Sequence, residues 1–268
     1  MSAVGQLEFF AQQRVVAGFK DTLKYNYLGY WKERANNSNI EEAPLTDWLK
    51  RQRHSDKIIG KVLFELRKAA ALGGSKTLYD ANREVYGLLR YGVKVRPDVG
   101  EQNITVWLID WDNPENNDFG IAEEVTVAGE NTKRPDVVLY VNGIAIGVLE
   151  LKRSIVSVSE GIRQNLDSQK KAFIRPFYST VQLLMAGNDT EGLRYGVIET
   201  PEKYWLRWKD GTTHPAAGDN PLLRELGQLC NKERLLELVH DFIVFDAGIK
   251  KACRHNQYSG VRAAQTRV

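Results

Sequence analysis

Two acids and a lysine occur at a spacing that could support phosphodiester chemistry. Asp136 follows Pro135 at the start of an apolar run, and Glu150 and Lys152 lie near the end of the next run. Mg²⁺ binds one or two carboxylates and fills its other positions with water and phosphate oxygens. Such an ion could polarise a scissile phosphate while Lys152 orients the attacking water. The alternative is a surface Glu-Lys pair on an ordinary hairpin.

The pair Asn142-Gly143 separates the two apolar runs and predicts a β-hairpin. A two-residue loop would leave Asp136 and Glu150 on opposite faces of the hairpin. A three-residue loop over 141–143 would bring them to one face, because side chains alternate between the faces along a strand. Glu150 and Lys152 share a face in either case. We therefore expect the three-residue loop or an equivalent bulge.

The remaining patterns predict an α/β protein with strands flanked by helices. The first ninety residues favour helices, and helical patterns return over 221–244. A helix should begin at Ser157, which has capping-box spacing to Glu160, and continue to about Phe173. Strands are expected over 104–109, 119–127, 137–141, 144–151, 180–185, 195–199 and 204–208.

Composition excludes several classes of protein. The 268 residues are 43% hydrophobic and 26% charged, which is typical of globular chains. No run approaches 18 apolar residues, so no membrane span is expected. Two cysteines without a CxxC pair cannot build a disulfide framework or a four-ligand zinc site. With no secretion signal at the start of the sequence, a cytoplasmic location is expected. The net charge of +3 does not by itself identify a nucleic-acid partner.

The segment from Pro135-Asp136 to Glu150-Leu151-Lys152 resembles the PD-(D/E)xK motif of restriction-endonuclease-like nucleases. The wider sequence resembles one family among them, the restriction (motor) subunit of type I restriction–modification enzymes. That wider resemblance is carried by the runs 82–86, 117–153, 182–189 and 192–196. It implies a mixed central sheet flanked by helices, with an N-terminal helical region, and the activity of a type I site-specific deoxyribonuclease.

By this resemblance, the chain would be the Mg²⁺-dependent endonuclease domain that hydrolyses double-stranded DNA. Asp136 and Glu150 would hold the metal together with the backbone carbonyl of Leu151, and Lys152 would serve the attacking water. Many members carry Gln-x-x-x-Tyr on the following helix. Gln164 fits the glutamine, but Ser168 stands at the tyrosine position.

Two further assignments from the resemblance stay open. Gln169 with Phe173 is a second frame for the Gln-x-x-x-Tyr motif, and it also lacks the hydroxyl. Glu84 could add a carboxylate to the site from a preceding helix, as happens in related nucleases; an ordinary surface acid is the alternative.

The resemblance also predicts the domain organisation and the partners. Residues 1–244 would form the endonuclease domain, with a helical region at about 1–95, a sheet core at about 96–210 and C-terminal helices at about 219–244. Residues 245–268 would link it to a helicase-like motor that this chain lacks. ATP should serve the full-length subunit and not bind here, because the sequence contains no GxxxxGK[ST]. Methyltransferase and specificity subunits are the expected protein partners. A non-catalytic docking module and a stand-alone repair or junction nuclease are the alternatives.

Overall fold

A computed structural model describes residues 3–210 and 219–266, with side chains from residue 10 onward. The described helices are α1 (Ala3–Ala17), α2 (Glu42–Arg51), α3 (Asp56–Ala70), α4 (Leu78–Tyr91), α5 (Val158–Ser168), α6 (Pro221–Leu229), α7 (Lys232–Asp241) and α8 (His255–Gln265). The strands are β1 (Asn26–Tyr30), β2 (Val93–Val95), β3 (Ile104–Val106), β4 (Phe119–Glu123), β5 (Val137–Val141), β6 (Ile144–Leu151), β7 (Leu183–Asn188), β8 (Gly192–Gly196), β9 (Ile243–Asp246) and β10 (Ile249–Ala252).

Six of these strands form a mixed central sheet in the order β1-β4-β5-β6-β7-β8. β4, β5 and β6 are antiparallel neighbours, whereas β6 and β7 are parallel. α5 supplies the crossover between these two parallel strands, which a hairpin loop cannot join. The α/β class and the helix-flanked mixed sheet are therefore confirmed.

Alternate residues of β5 enter different hydrophobic clusters, because the sheet is covered on both faces. Val137 and Leu139 belong to the larger cluster, which includes side chains of α2, α3 and α7. Val138 and Tyr140 belong to the second cluster, together with residues of α5. The side chains nearest to α5 are thus the even-numbered ones of β5.

The β5–β6 hairpin has a two-residue turn and a bulge. Asn142 and Gly143 have φ values of 51° and 82°, as a type I′ turn requires. The prediction of a three-residue loop is wrong, but the bulge that was expected as its equivalent is present. Leu139 pairs with Gly147 and Tyr140 with Ala145, which leaves one extra residue on β6. Because of this extra residue, Asp136 and Glu150 lie on the same face of the hairpin. With a two-residue turn and no bulge, they would lie on opposite faces.

Several strands differ in extent from the sequence prediction. β3 ends at Val106 and pairs with β2 in a separate ribbon, and β4 ends at Glu123. The segment expected as a strand over 204–208 contributes only a bridge between Leu206 and Tyr195. α5 ends at Ser168, before the expected Phe173. The side chain of Ser157 caps α5 by accepting a hydrogen bond from the Ser159 amide.

Two segments add structure that the sequence patterns did not indicate. β1 lies within the region predicted to be helical and forms a parallel edge of the central sheet against β4. After α7, β9 and β10 form an antiparallel hairpin that leads into α8. Cys253 and Tyr258 of this C-terminal part are buried in the larger hydrophobic cluster. Across the described residues, no helix is both long and apolar enough to cross a membrane.

Candidate active site

The β5–β6 hairpin brings Asp136 and Glu150 together at one end of the sheet. Val137 pairs with Leu149, so Asp136 lies opposite Glu150, on the face that α5 covers. The carboxylate of Asp136 accepts a 2.7 Å hydrogen bond from the backbone amide of Leu151. Glu150 is only 1% exposed. The two acids therefore lie side by side, with Glu150 buried and Asp136 partly exposed.

Gln164 on α5 connects the glutamate with the lysine. Its side-chain amide donates a hydrogen bond to Glu150 Oε2, and its Oε1 accepts one from Lys152 Nζ at 2.6 Å. Gly161 allows α5 to approach closely, because a Cβ there would lie 3.2 Å from the Cβ of Ala186. The four residues Asp136, Glu150, Lys152 and Gln164 form one cluster, which we call the candidate site.

Burial opposes the charge of both acids. It raises the pKa of Asp136 to about 6, against the opposing effects of Lys152 and the Leu151 amide. Burial also raises the pKa of Glu150 well above its usual range, and the neighbouring charge of Asp136 raises it further. Two carboxylates this close cannot both ionise without a nearby positive charge. The candidate site is therefore short of positive charge.

Glu124 is a third acid near the candidate site, and the sequence patterns did not single it out. Its charge raises the pKa of both Asp136 and Glu150. Its backbone amide donates to the carbonyl of Asp136 at 2.8 Å, and its φ of 50° marks a bend just after β4. The Glu124 side chain pairs with Arg134 at 2.5 Å. No sequence spacing could have shown this proximity, because it arises from pairing between strands.

The other residues that the sequence suggested for the site, Gln169, Ser168 and Glu84, make their hydrogen bonds and ion pairs with groups other than the two acids. Gln169 donates to the carbonyl of Asn165 and accepts from the amide of Glu199, so its amide is engaged away from the candidate site. Ser168 donates to the backbone carbonyl of Gln164 at 2.9 Å. Glu84 lies on α4, half exposed, and forms a 2.6 Å ion pair with Lys76. Of the two Gln-x-x-x-Tyr frames, the one beginning at Gln164 is thus the frame that reaches the acids.

Comparison with known proteins places this fold and cluster in a family. Residues 6–203 match the family model described as the type I restriction enzyme R protein N terminus. The chain belongs to this family. The matched range includes the whole candidate site and the central sheet.

Among relatives of this R protein N-terminal family, the endonuclease subunit of the HindI type I restriction enzyme from Haemophilus influenzae is 28% identical over 212 residues. That alignment covers 74% of this chain and 20% of the relative. The putative MjaVIIIP endonuclease subunit from Methanocaldococcus jannaschii is 28% identical over 197 residues, covering 69% of this chain and 19% of the relative. The EcoprrI endonuclease subunit from Escherichia coli is 26% identical over 148 residues, covering 53% and 46%. The chain thus spans about a fifth of the first two relatives.

The donor set of this family member suits a hard divalent cation. Glu150 Oε1 is buried and has no hydrogen-bond partner within the described residues. An unpartnered carboxylate oxygen beside a second carboxylate is costly unless a cation compensates it. No group of three or more His, Cys, Asp or Glu in the described ranges could hold a metal. The two carboxylates of Asp136 and Glu150 are a donor set that Mg²⁺ accepts.

Proposed function

We propose that this chain is the Mg²⁺-dependent endonuclease domain of a type I restriction enzyme and hydrolyses phosphodiester bonds in double-stranded DNA. The observation that carries the proposal is the position of Asp136 beside the buried Glu150, which follows from the pairing of Val137 with Leu149. Membership of the R protein N-terminal family supports the same activity. The reaction would take place in the cytoplasm.

In this proposal, Asp136 and Glu150 hold the cation, and the backbone carbonyl of Leu151 is a third ligand. When bound, the ion would supply charge neutralisation at the scissile phosphate and favour ionisation of a water molecule. Lys152 orients the attacking water and offsets the negative charge that develops on the phosphate. Gln164 fixes the distance between Glu150 and Lys152, because its amide is hydrogen-bonded to both.

The proposal extends to the partners of the full-length subunit. An ATP-driven motor outside this chain would move DNA to the domain, and the methyltransferase and specificity subunits would select and protect the sequence. ATP would not bind these 268 residues, since they contain no GxxxxGK[ST]. A docking module without activity is the main alternative, and it predicts that the candidate site is dispensable for cleavage.

The test is cleavage of DNA by the assembled complex carrying Lys152→Ala in this domain. We expect cleavage to fall by about a hundredfold or more, since an electrostatic stabiliser of the reacting group is lost, while ATP hydrolysis continues. Lys170→Ala is the matched control: Lys170 is an exposed lysine paired with Asp167 and should leave cleavage unchanged. Full cleavage by Lys152→Ala would reject the catalytic proposal in favour of the docking module.

A further inference from the structure

A groove of about 560 Å³ lies between α3 and β2, and we call it the basic groove. Four cations line it, Lys57 and Lys61 from the helix and Lys94 and Arg96 from the side of the strand. Phe64, which is 58% exposed, adds an aromatic ring to the same lining. None of the four residues of the candidate site lines this groove, so it is a separate feature of the surface.

The two walls of the basic groove are fixed against each other. Val62 of α3 and Val95 of β2 are both buried in the larger hydrophobic cluster. The ammonium of Lys61 also bridges the walls, because it donates hydrogen bonds to the backbone carbonyls of Arg96 and Pro97. The backbone positions that carry the cations are therefore set by the fold.

The acids at the basic groove already have cationic partners. Glu65, which also lines the groove, pairs with Lys68 at 3.6 Å. Asp98, which follows the strand wall, pairs with Lys57 at 2.7 Å. These two ion pairs cancel the negative charge of the groove and occupy one of its four cations.

The other three cations leave an excess of positive charge in the groove. Lys61 uses two of its three ammonium donors on carbonyl oxygens, which carry no net charge. The side chains of Lys94 and Arg96 are exposed, and across residues 3–210 and 219–266 neither forms a hydrogen bond or an ion pair. Three positive charges therefore remain for an anionic ligand.

The spacing of these cations suits a chain of regularly repeated negative charges. Lys57 and Lys61 are four residues apart on α3, so their Cβ atoms are about 5–6 Å apart on one side of the helix. Lys94 and Arg96 are two residues apart on an extended chain, which separates them by about 6–7 Å. Each nucleotide of a DNA strand carries one negative charge, whereas a protein segment would need acids at matching intervals.

We propose that the basic groove binds the phosphate backbone of duplex DNA, as a contact separate from the candidate site. Lys61, Lys94 and Arg96 neutralise phosphates, and Phe64 packs against a sugar. Contacts of this kind position a protein on DNA without reading its sequence. The inference deepens the proposed function and rests on it for the identity of the polyanion.

The first test measures binding of the 268-residue protein to a fluorescently labelled DNA duplex by anisotropy, in EDTA, between about 50 and 200 mM KCl. In the double variant Lys94→Gln/Arg96→Gln, we expect the slope of log K against log salt to become less steep by about 1.8, since each lost phosphate contact removes about 0.9. The control Lys170→Gln/Lys171→Gln removes two exposed cations of α5 and the turn after it, and should keep the wild-type slope. A wild-type slope in Lys94→Gln/Arg96→Gln, or a wild type that binds no duplex, would overturn the inference.

The second test adds a negative charge to the basic groove without weakening the fold. Gly60 lines the groove, and a Cβ there would meet no atom within 4 Å. Glutamate favours a helix more than glycine does, so weaker binding by Gly60→Glu could not result from unfolding. We expect about fivefold weaker DNA binding at low salt, the effect of roughly one repelled charge near a phosphate.

The matched control for this variant is Gly260→Glu. Gly260 lies within α8, is exposed, and would also accept a Cβ without meeting an atom within 4 Å. It adds the same charge to a helix elsewhere and should bind DNA as the wild type does. Equal DNA affinities of Gly60→Glu and Gly260→Glu would reject the inference.

Two further outcomes distinguish this inference from its alternatives. If Lys94→Gln/Arg96→Gln bound DNA normally but lost binding of poly-glutamate, the groove would accept an acidic protein segment and the inference would be wrong. Binding in EDTA requires neither a metal nor catalysis. Full cleavage by a complex carrying Lys152→Ala would therefore reject the proposed function, while the DNA affinity of the groove variants would still decide the inference.

Discussion

At the scale of single residues, the candidate site combines two acids with too few donors to stabilise both charges. Asp136 accepts a hydrogen bond from the Leu151 amide, and Glu150 accepts one on Oε2 from the amide of Gln164. Lys152 is the ammonium group of the cluster, and its Nζ donates to Gln164. Without a cation, the folded protein must keep protons on these acids or tolerate their repulsion. The stability of the metal-free protein should therefore depend on pH.

We predict that Asp136→Asn stabilises the metal-free protein at pH 7.5 but not at pH 4. The folded-state pKa of about 6 lies above the ordinary value of 3.8. The stability that the protonated acid contributes is present below about pH 4 and is lost as the pH rises through about 6. A displacement of about two pKa units corresponds to at most about 3 kcal/mol, and partial exposure of the side chain reduces it. Urea unfolding in EDTA at both pH values measures the difference.

The control for this experiment is Asp167→Asn, which changes a half-exposed acid paired with Lys170. Its effect on the unfolding free energy should be small and nearly the same at pH 4 and pH 7.5. If Asp136→Asn behaved in the same way, burial would not be opposing the charge of Asp136.

At the scale of secondary-structure elements, the hairpin is what brings the acids together. Its turn could be predicted from the sequence, because two residues with positive φ strongly favour Asn-Gly. Its bulge could not be predicted from the sequence, since Ala145, Ile146 and Gly147 are compatible with pairing in either register. The requirement that Asp136 and Glu150 share a face was the only indication that an extra residue was needed.

The turn also fixes the hairpin against α2, which yields a second prediction. Gly143 has a φ of 82°, and a Cβ there would lie 2.6 Å from the carbonyl oxygen of Glu41 and 2.9 Å from the amide nitrogen of Leu45. Both neighbours are backbone atoms that cannot move aside easily. Gly143→Ala should therefore destabilise the protein by more than about 1 kcal/mol, from backbone strain plus the clash.

Gly60→Ala provides the opposite control, and urea unfolding of both variants makes the comparison. Gly60 lies within α3, and a Cβ there would meet no atom within 4 Å. The substitution should stabilise α3 by about 0.5–1 kcal/mol, because alanine favours a helix more than glycine does. A Gly143→Ala protein as stable as the wild type would mean that the turn can relax away from α2.

At the scale of the whole molecule, distant parts of the chain complete the sheet and its surroundings. β1 is mostly exposed at the sheet edge, so it lacks the alternating apolar pattern that reveals a half-buried strand. Glu124 reaches the neighbourhood of the candidate site through strand pairing, which has no sequence motif. The sequence could therefore predict the acids and the lysine, but not the residues that tertiary structure adds to them.

The C-terminal hairpin is attached to the rest of the molecule by a buried lysine. Lys250 of β10 is 3% exposed, and its ammonium donates to Asn82 Oδ1 at 2.7 Å and to Gln182 Oε1 at 2.6 Å. Lys250, in the segment that the sequence suggested to be a linker, thus contacts Asn82 on α4 and Gln182 just before β7.

Burial of this lysine makes the attachment sensitive to pH. Desolvation lowers the pKa of Lys250 well below its usual range. Between its folded and unfolded pKa values the native state binds fewer protons than the unfolded state, so stability rises with pH. We predict that the wild type gains stability relative to Lys250→Met between pH 7 and pH 9.5, by up to about 1.4 kcal/mol per pH unit.

Lys251→Met, which changes the exposed neighbour paired with Asp246, should show no such trend in urea unfolding, because that ammonium stays in water in both states. A difference between wild type and Lys250→Met that stays constant or shrinks with rising pH would mean that Lys250 keeps its proton in the folded protein, held by the amide oxygens of Asn82 and Gln182.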